Sequence, residues 1–147
     1  MKAHFFIDPG VNGGIAITLG GLDNLLAMNL DGIGSLMDIM ADYECYDRHM
    51  VIEDVPSYVG RNIPSHAAFK LGKSCGLVEG MARGMKIPCK LIPPKVWQKG
   101  LPGLRGLTGV ARKRVLKEHA QRLFPKARAT LRTSDAILLA NYFFSNP

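Results

Sequence analysis

Three acidic residues stand where predicted core elements begin or end, and their side chains are the ones that could do chemistry. Asp8 ends an apolar run and is followed at once by a glycine-rich turn, Glu53 ends a second apolar run, and Asp135 opens a third apolar segment. Taken alone, an Asp in such a place is most often a turn former. Three carboxylates at the rims of core elements are, however, the ligand set that a divalent-metal site for phosphodiester chemistry needs.

Charge is segregated along the chain. Residues 1–60 hold two basic and nine acidic residues, whereas residues 61–132 hold seventeen basic and two acidic ones. A fold that brings these segments together sets a carboxylate pocket inside a cationic surface, which suits a polyanion handled by metal ions. The alternative is a solvated basic face without a dedicated partner, but so large an excess of basic residues is more than solubility requires.

Length and composition indicate the class of protein. The chain has 147 residues, 47% of them hydrophobic and 21% charged, which is typical of one globular domain spanning 1–147. The apolar runs are shorter than the ~18 residues of a membrane span, and the N-terminal apolar stretch is too short for a signal peptide. We therefore expect a cytoplasmic protein without membrane contact. The three cysteines lack CxxC spacing, which argues against zinc.

Hydrophobic periodicity predicts a mixed α/β fold with the element order βββ-α-β-α-β-α-α. The loop at 100–109 contains four glycines and is predicted to be flexible. The predicted strands are 3–8, 13–19, 24–30, 49–55 and 89–92. The predicted helices are 33–42, 65–84, 110–124 and 133–144, with a helical turn at 95–99.

One predicted helix carries an unusual glycine pattern. Gly72, Gly76 and Gly80 recur every four residues on one face of helix 65–84, and each costs roughly 1 kcal/mol relative to Ala in a helix interior. Small residues at this spacing allow another backbone to approach closely. We expect tight packing of this face on the sheet, with a dimer contact as the alternative.

Seven short motifs follow one another along nearly the whole chain. They are Phe6-Ile7-Asp8-Pro9-Gly10 with Gly14, Val51-Ile52-Glu53, Ser65 through Phe69-Lys70-Leu71-Gly72 with Gly76, Ile87-Pro88, Pro93-Pro94-Lys95-Val96-Trp97-Gln98-Lys99, Leu123-Phe124-Pro125, and Ser134-Asp135-Ala136-Ile137-Leu138-Leu139-Ala140. In this order and spacing they resemble the RuvC-type Holliday junction resolvases of the RNase H-like superfamily, and more closely their compact phage-type branch. The resemblance implies an α/β fold of the RNase H-like kind, with a mixed five-stranded sheet flanked by helices.

The resemblance also implies a function, that of a metal-dependent endonuclease that cleaves branched DNA, above all four-way (Holliday) junctions. Asp8, Glu53 and Asp135 are then the catalytic carboxylates and the ligands of two Mg²⁺ ions, for which Mn²⁺ is expected to substitute. One ion activates water for in-line attack, and the other stabilises the leaving 3′ oxygen. Symmetric cleavage needs two active sites related by a two-fold axis, so a homodimer is expected. The cytoplasm would be that of a bacterium or of a phage-infected host cell.

One position departs from the family pattern. The family places a fourth ligand, an acid or a histidine, three or four residues before the last acid, where this chain has Arg132 and Leu131. Either three carboxylates suffice, or the second metal enters only with the DNA phosphate, or the activity is weakened. In the last case the chain is a catalytically weakened or inactive junction-binding protein of the same fold. Arg132 is also a candidate for direct contact with a phosphate.

Candidates for DNA contact lie in the basic segment and in the loop after Glu53. Tyr58 stands where related resolvases carry an aromatic that wedges into the junction centre, where it could stack on an unpaired base; a loop tyrosine that covers the core is the alternative. Arg61, in the same loop, is a candidate for phosphate contact, and Trp97 is expected in the core. The candidates for binding the DNA backbone around the flexible loop are Lys99, Arg105, Arg112, Lys113, Arg114 and Lys117.

Two further functions are compared with this hypothesis. The turn after Asp8 also resembles the phosphate loop of ATP-binding sugar-kinase or actin-like modules, but that fold needs two copies of the domain, which 147 residues cannot hold. An RNase H acting on RNA–DNA hybrids is a variant within the same class of enzyme.

Overall fold

Five strands and five helices form the architecture, in a computed structural model that describes residues 1–56 and 63–146. None of the helices in these ranges has the length and apolarity of a membrane span. The strands are β1 (Lys2–Asp8), β2 (Gly14–Leu19), β3 (Leu26–Asn29), β4 (Asp47–Glu53) and β5 (Cys89–Ile92). The helices are α1 (Ile33–Asp42), α2 (Ser65–Gly84), α3 (Pro94–Trp97), α4 (Gly109–Leu123) and α5 (Ser134–Ser145), with short 3-10 turns at Leu22–Asn24 and Pro125–Ala127.

The sheet is mixed, with the strand order β3-β2-β1-β4-β5. The glycine-rich turn closes β1 and β2 into an antiparallel hairpin, and β3 adds to it antiparallel. The strands β1, β4 and β5 run parallel, so their carboxyl ends meet at one edge of the sheet. The predicted mixed five-stranded sheet is therefore confirmed.

The two faces of the sheet carry separate apolar cores, because successive side chains of a strand point to opposite faces. Phe5 and Ile7 belong to the core that includes residues of α1 and α2. Phe6 and Val51 belong to the other core, which includes residues of α3, α4 and α5. By the same alternation Asp8 and Glu53, at the ends of β1 and β4, project on the face that α5 covers.

The glycine face of α2 is open, so the expected tight packing on the sheet is wrong. A Cβ built at Gly72, Gly76 or Gly80 meets nothing within 4 Å in the described part of the chain. Phe69 lies on the same helical face and is 71% exposed. Within α2 the buried residues are Val78 and Ala82, near its C-terminal end. This short apolar stripe attaches the helix, and the glycines point away from the core.

Candidate active site

Strand register brings the first two carboxylates together. Ile7 of β1 pairs with Ile52 of the parallel strand β4, so Asp8 and Glu53, one residue further along, end neighbouring strands at the same edge. The third carboxylate comes from α5, where Asp135 lies in the first turn and is buried. The three predicted site residues thus converge at one end of the sheet, although they come from distant parts of the chain.

Gly14 allows the turn before α5 to approach the sheet. It pairs with Asp8 in the β1–β2 hairpin. A Cβ built at Gly14 would lie 2.8 Å from the Thr133 Cα and closer still to the Arg132 carbonyl oxygen. The backbone before α5 therefore rests directly on Gly14, and this close approach sets Asp135 beside Asp8.

A cation lies between two of the carboxylates. The Lys113 ammonium Nζ, reaching in from α4, lies 2.6 Å from Asp135 Oδ2 and 3.1 Å from Asp8 Oδ2. The Asp8 and Asp135 side chains are only 11% and 7% exposed, and the lysine is 35% exposed. Because buried carboxylates are costly without a partner, this ion pair compensates the negative charge of the site.

The environment shifts the pKa values of the site in opposite senses. Burial, and then the charges of Asp8 and Asp135, raise the pKa of Glu53 to about 8. Burial also raises the pKa of Asp135, although the Lys113 ammonium opposes that shift. For Lys113, burial lowers the pKa, but the two carboxylates outweigh it and raise the pKa above its ordinary value. These shifts show that the three carboxyl groups and the lysine act on one another's charge in a common, partly desolvated site.

Hydrogen bonds orient each carboxylate. The Gly10 N–H donates to Asp8 Oδ1 at 3.3 Å, and the Ser134 hydroxyl donates to Asp135 Oδ1 at 3.1 Å. The indole Nε1–H of Trp97 donates to Glu53 Oε2 at 3.0 Å. Trp97 is buried in the core, as expected, and it also holds a site carboxylate.

The donor chemistry of the site fits a hard divalent cation. In the described part of the chain, no three Asp, Glu, His or Cys side chains are grouped closely enough to hold a metal ion as they stand. The Lys113 ammonium, however, already places a positive charge in contact with Asp8 and Asp135, and it stands in for a bound cation. Carboxylate oxygens are the ligands that Mg²⁺ prefers, and Glu53 lies near enough to both aspartates for their charges to raise its pKa.

Arg132 reaches away from the carboxylates. Its Nη2 donates to the carbonyl oxygen of Leu30 at 2.9 Å and to Asp31 Oδ1 at 2.8 Å. Its Nε is buried and, among the described residues, has no hydrogen-bond partner. The guanidinium is therefore engaged by the segment after β3, and its predicted contact with a DNA phosphate stays a prediction.

The remaining candidates for DNA contact differ in their surroundings. Arg112 donates from Nη1 to the carbonyl oxygen of Leu104 at 3.1 Å and from Nη2 to the Gln98 side chain. It therefore connects α4 to the glycine-rich loop 100–109 and to the residue that follows α3. Lys99, Arg105 and Arg114 are exposed, and Lys117 is half-buried. Tyr58 and Arg61 lie outside the described residues. These contacts with DNA stay predictions.

An open cleft lies beside Asp135. Its volume is about 560 Å³. Basic and apolar side chains share its lining, among them Val110, Arg112, Lys113, Leu131 and Arg132. A cleft of this size and character, adjoining the carboxylates, can admit part of a polyanionic ligand.

Sequence reasoning missed the parts played by Lys113 and Trp97. For Lys113 a signal was present: it precedes the buried residues Leu116 and Ala120 by three and seven positions, so it lies on the buried face of α4. A lysine on an apolar helical face is expected to pair with a buried acid. For Trp97 no such signal exists, because its bond to Glu53 spans 44 positions.

Comparisons with known proteins identify the fold. No protein-family model matches the chain, and no curated protein matches its sequence. A structure of RuvC from Thermus thermophilus is similar with a TM-score of 0.56 and 17% identity, covering 97% of this chain and 95% of that chain. The structure of T. thermophilus RuvC in complex with Holliday junction substrate gives 0.60 and 13%, covering 99% and 96%. The protein therefore has a RuvC-like α/β fold of the RNase H-like kind, while the resemblance to the phage-type branch stays a prediction.

Proposed function

We propose that this protein is a metal-dependent endonuclease for branched DNA, with four-way junctions as its main substrate. The observation that carries the proposal is the convergence of Asp8, Glu53 and Asp135 at one edge of the sheet, where the Lys113 ammonium already lies between Asp8 and Asp135. The RuvC-like fold supports it, because a protein of that fold has been solved with a Holliday junction substrate. The basic residues of the second half of the chain supply the charge that a DNA backbone needs.

Three carboxylates and the residues that contact them have distinct roles in the proposed reaction. Asp8, Glu53 and Asp135 would hold Mg²⁺, or Mn²⁺ in its place. When bound, the metal supplies Lewis-acid stabilisation of phosphate charge and an activated water. Trp97 orients Glu53, and Ser134 orients Asp135. The Lys113 ammonium offsets the charge of Asp8 and Asp135 when no metal is bound.

We also propose that the enzyme acts as a homodimer through α2. Most of this 20-residue helix is not buried, and its exposed face carries Phe69 beside the small residues Gly72, Gly76 and Gly80. A second copy of the same helix fits such a face, because glycines let two helix backbones approach closely and Phe69 gains burial. A two-fold axis between the copies would give the pair of sites that symmetric junction cleavage requires.

Cleavage of labelled DNA tests the enzymatic proposal. Four-way junctions, flaps, linear duplexes and RNA–DNA hybrids are incubated with the protein in Mg²⁺, in Mn²⁺ and in EDTA. We expect paired incisions in the four-way junction that require metal, and little cleavage of linear duplex. Equal cleavage of all substrates, or preferred cleavage of the hybrid, would contradict the junction assignment.

Amide variants identify the carboxylates that carry the reaction. Asp8→Asn, Glu53→Gln and Asp135→Asn keep the side-chain shape and remove the charge that holds the metal. Metal stabilisation of the reacting phosphate is worth several kcal/mol, so each variant should cleave at least roughly 100-fold more slowly, while junction binding in EDTA is retained. Asp23→Asn, in the 3-10 turn between β2 and β3, is the matched control. A site variant that cuts near the wild-type rate would remove its residue from the site.

The dimer is tested by mass measurement in solution. Light scattering should give twice the mass of the 16.1 kDa chain, and Gly76→Leu should shift the protein to the monomer. Gly34→Leu, on the open face of α1, is the control and should leave the mass unchanged. A monomeric wild type, or a dimer that survives Gly76→Leu with unchanged dissociation constant, would contradict the α2 interface.

A second candidate function is junction binding without cleavage. Two observations favour it: Arg132 stands where the family has a ligand, and Lys113 lies in contact with two of the three carboxylates. Binding of four-way junctions with no incision in Mg²⁺ or Mn²⁺, at any protein concentration, would decide for this candidate.

A further inference from the structure

Arg132 connects the start of α5, which holds Asp135, to the chain segment that follows β3. It lies three residues before Asp135, and its guanidinium crosses to the chain segment that follows β3. There Nη2 donates to the carbonyl oxygen of the buried residue Leu30 and to the exposed carboxylate of Asp31. The Asp31 pair is largely solvated and weak alone, but the bond to Leu30 is a charge-assisted one at a backbone position.

A row of backbone hydrogen bonds continues from Leu30 to Asp8. The Leu30 N–H donates to the carbonyl oxygen of Gly13 at 3.1 Å, and the Gly13 N–H donates to the carbonyl oxygen of Gly10 at 2.8 Å. The Gly10 N–H then donates to Asp8 Oδ1 at 3.3 Å. The backbone of Leu30, whose carbonyl oxygen accepts from Arg132, is thereby linked through hydrogen bonds to the Asp8 carboxylate.

The backbone of Arg132 provides the second connection. Its carbonyl oxygen lies against Gly14, the strand partner of Asp8. The main chain of Arg132 thus lies against the hairpin at the start of α5, while its side chain binds the Leu30 carbonyl oxygen. The N–H of Leu30 is hydrogen-bonded to the turn that follows Asp8. Arg132 thus contacts both the segment that carries Asp8 and the start of the helix that carries Asp135.

We propose that Arg132 is a positioning residue that sets the Asp8 and Asp135 carboxylates at the spacing a divalent cation requires. This inference rests on the proposed function for its meaning, since it assigns Arg132 to the geometry of that same site. Arg132 does so from the position where the family places a ligand. A role as phosphate clamp fits the structure less well, because a bidentate contact needs two free N–H groups on one edge. Here Nη2 already serves two acceptors and Nε is buried.

Metal binding by the DNA-free protein tests the inference. The affinity for Mn²⁺ is measured by titration with electron paramagnetic resonance detection, for the wild type, Arg132→Met, Arg132→Lys and Asp31→Ala. Loss of a group that orients a ligand typically costs 10–100-fold in metal affinity, so Arg132→Met should bind Mn²⁺ roughly 10-fold more weakly. Arg132→Lys keeps one donor for Leu30 and should recover most of that loss. Asp31→Ala should weaken binding less than Arg132→Met does, because the Leu30 contact remains.

The sign of the effect separates positioning from simple electrostatics. Removing a positive charge near a cation site strengthens cation binding when charge alone matters, so unchanged or tighter Mn²⁺ binding by Arg132→Met would overturn the inference. Junction affinity in EDTA, and its salt dependence, should match the wild type. A loss of affinity with a salt slope smaller by about 1 would make Arg132 a phosphate contact and overturn the inference too.

A folding control separates a loss of metal binding from a loss of structure. The Arg132 side chain is half-buried, and Arg132→Met keeps its apolar stem, so the variant is compared at a temperature where its circular dichroism equals that of the wild type. If Arg132→Met does not fold, Arg132→Gln replaces it: this variant also loses the positive charge, so weaker Mn²⁺ binding supports positioning, and unchanged or tighter binding overturns it. The Mn²⁺ titration needs no cleavage, so a wild type that binds Mn²⁺ in this pattern but cuts no branched DNA would overturn the proposed function alone.

Discussion

Burial in the fold strongly raises the pKa of Glu53. Its pKa rises from 4.5 to about 8, first through burial and then through the charges of Asp8 and Asp135. Between those two values the native carboxyl keeps a proton that the unfolded chain has lost. The native state then binds more protons than the unfolded state, so the free energy of unfolding falls as pH rises.

The pH dependence of stability should therefore report the protonation of Glu53. In EDTA, the free energy of unfolding of the wild type should fall between pH 5 and pH 8 relative to Glu53→Gln, by up to about 1.4 kcal/mol per pH unit. Urea unfolding at several pH values measures the difference. Glu44→Gln, at an exposed site outside the sheet, is the control and should follow the wild type. A Glu53→Gln variant with the same pH dependence as the wild type would show that Glu53 is ionised at neutral pH.

Lys113 is the cation that compensates the charges of Asp8 and Asp135. Lys113→Met leaves Asp8 and Asp135 without their cation, so the metal-free protein should lose about 1–3 kcal/mol, less than a fully buried pair because solvent reaches the lysine. Mg²⁺ should then stabilise the variant more than it stabilises the wild type, since no ammonium has to leave the carboxylates. Melting temperatures with and without Mg²⁺ measure both effects, with Lys117→Met as control. Equal stabilisation by Mg²⁺ would mean that metal and lysine do not compete.

Residue type and position were enough to predict which carboxylates converge, but not what holds them. Asp8, Glu53 and Asp135 each stand at the end of an apolar element, where strand alternation and the sheet edge determine the side chain's place. Their partners depend on tertiary packing: Lys113 is 105 positions from Asp8, and Trp97 is 44 positions from Glu53. A basic residue on a helix can equally face solvent, a phosphate or an acid, and local sequence does not choose among them.

Every predicted strand and helix is present in the structure, with bounds that differ from the prediction by a few residues at most. Strand alternation and helical periodicity are local properties, which explains this agreement. The error at α2 has the same origin. Gly72, Gly76 and Gly80 mark a face that permits close approach, but spacing alone cannot tell whether the sheet or another chain approaches it.

The backbone just before α5 packs against Gly14 of β2. Gly14→Ala would place a Cβ against the backbone of Arg132 and Thr133, and backbone cannot give way as a flexible side chain does. We expect a loss of about 1–3 kcal/mol in the free energy of unfolding and slower metal-dependent cleavage, because Asp135 moves with the start of α5. Urea unfolding and cleavage assays measure the two effects.

Gly34 provides the matched control for this substitution. It lies in α1 with nothing within 4 Å of a built Cβ among the described residues, so Gly34→Ala should be neutral or stabilising by up to about 1 kcal/mol. Unchanged stability and activity in Gly14→Ala would show that the α5 turn has room to shift.

At the scale of the whole molecule, the fold joins the acidic and basic parts of the sequence. The acidic part supplies β1 and β4 with two of the site carboxylates, and the basic part supplies α4, whose Lys113 contacts Asp8. Lys99, Arg105 and Arg114, which belong to the same basic part of the sequence, are exposed. A carboxylate pocket inside a cationic surface was the expectation from charge segregation, and at Lys113 the two segments meet directly.

This arrangement leads to a prediction about DNA affinity. If the basic surface replaces counterions at 6–10 phosphates, junction affinity in EDTA should fall by roughly 10³–10⁵ between 50 and 200 mM salt. Arg114→Ala removes one exposed charge of α4 and should reduce the slope of log affinity against log salt by about 1. Lys2→Ala is the matched control, because Lys2 is exposed at the opposite end of β1 from Asp8, and it should leave the slope unchanged. If Lys2→Ala lowered the slope as much as Arg114→Ala, the attraction would belong to the net charge of the molecule and not to a surface around the site. A flat salt profile in the wild type would rule against a nucleic-acid partner altogether.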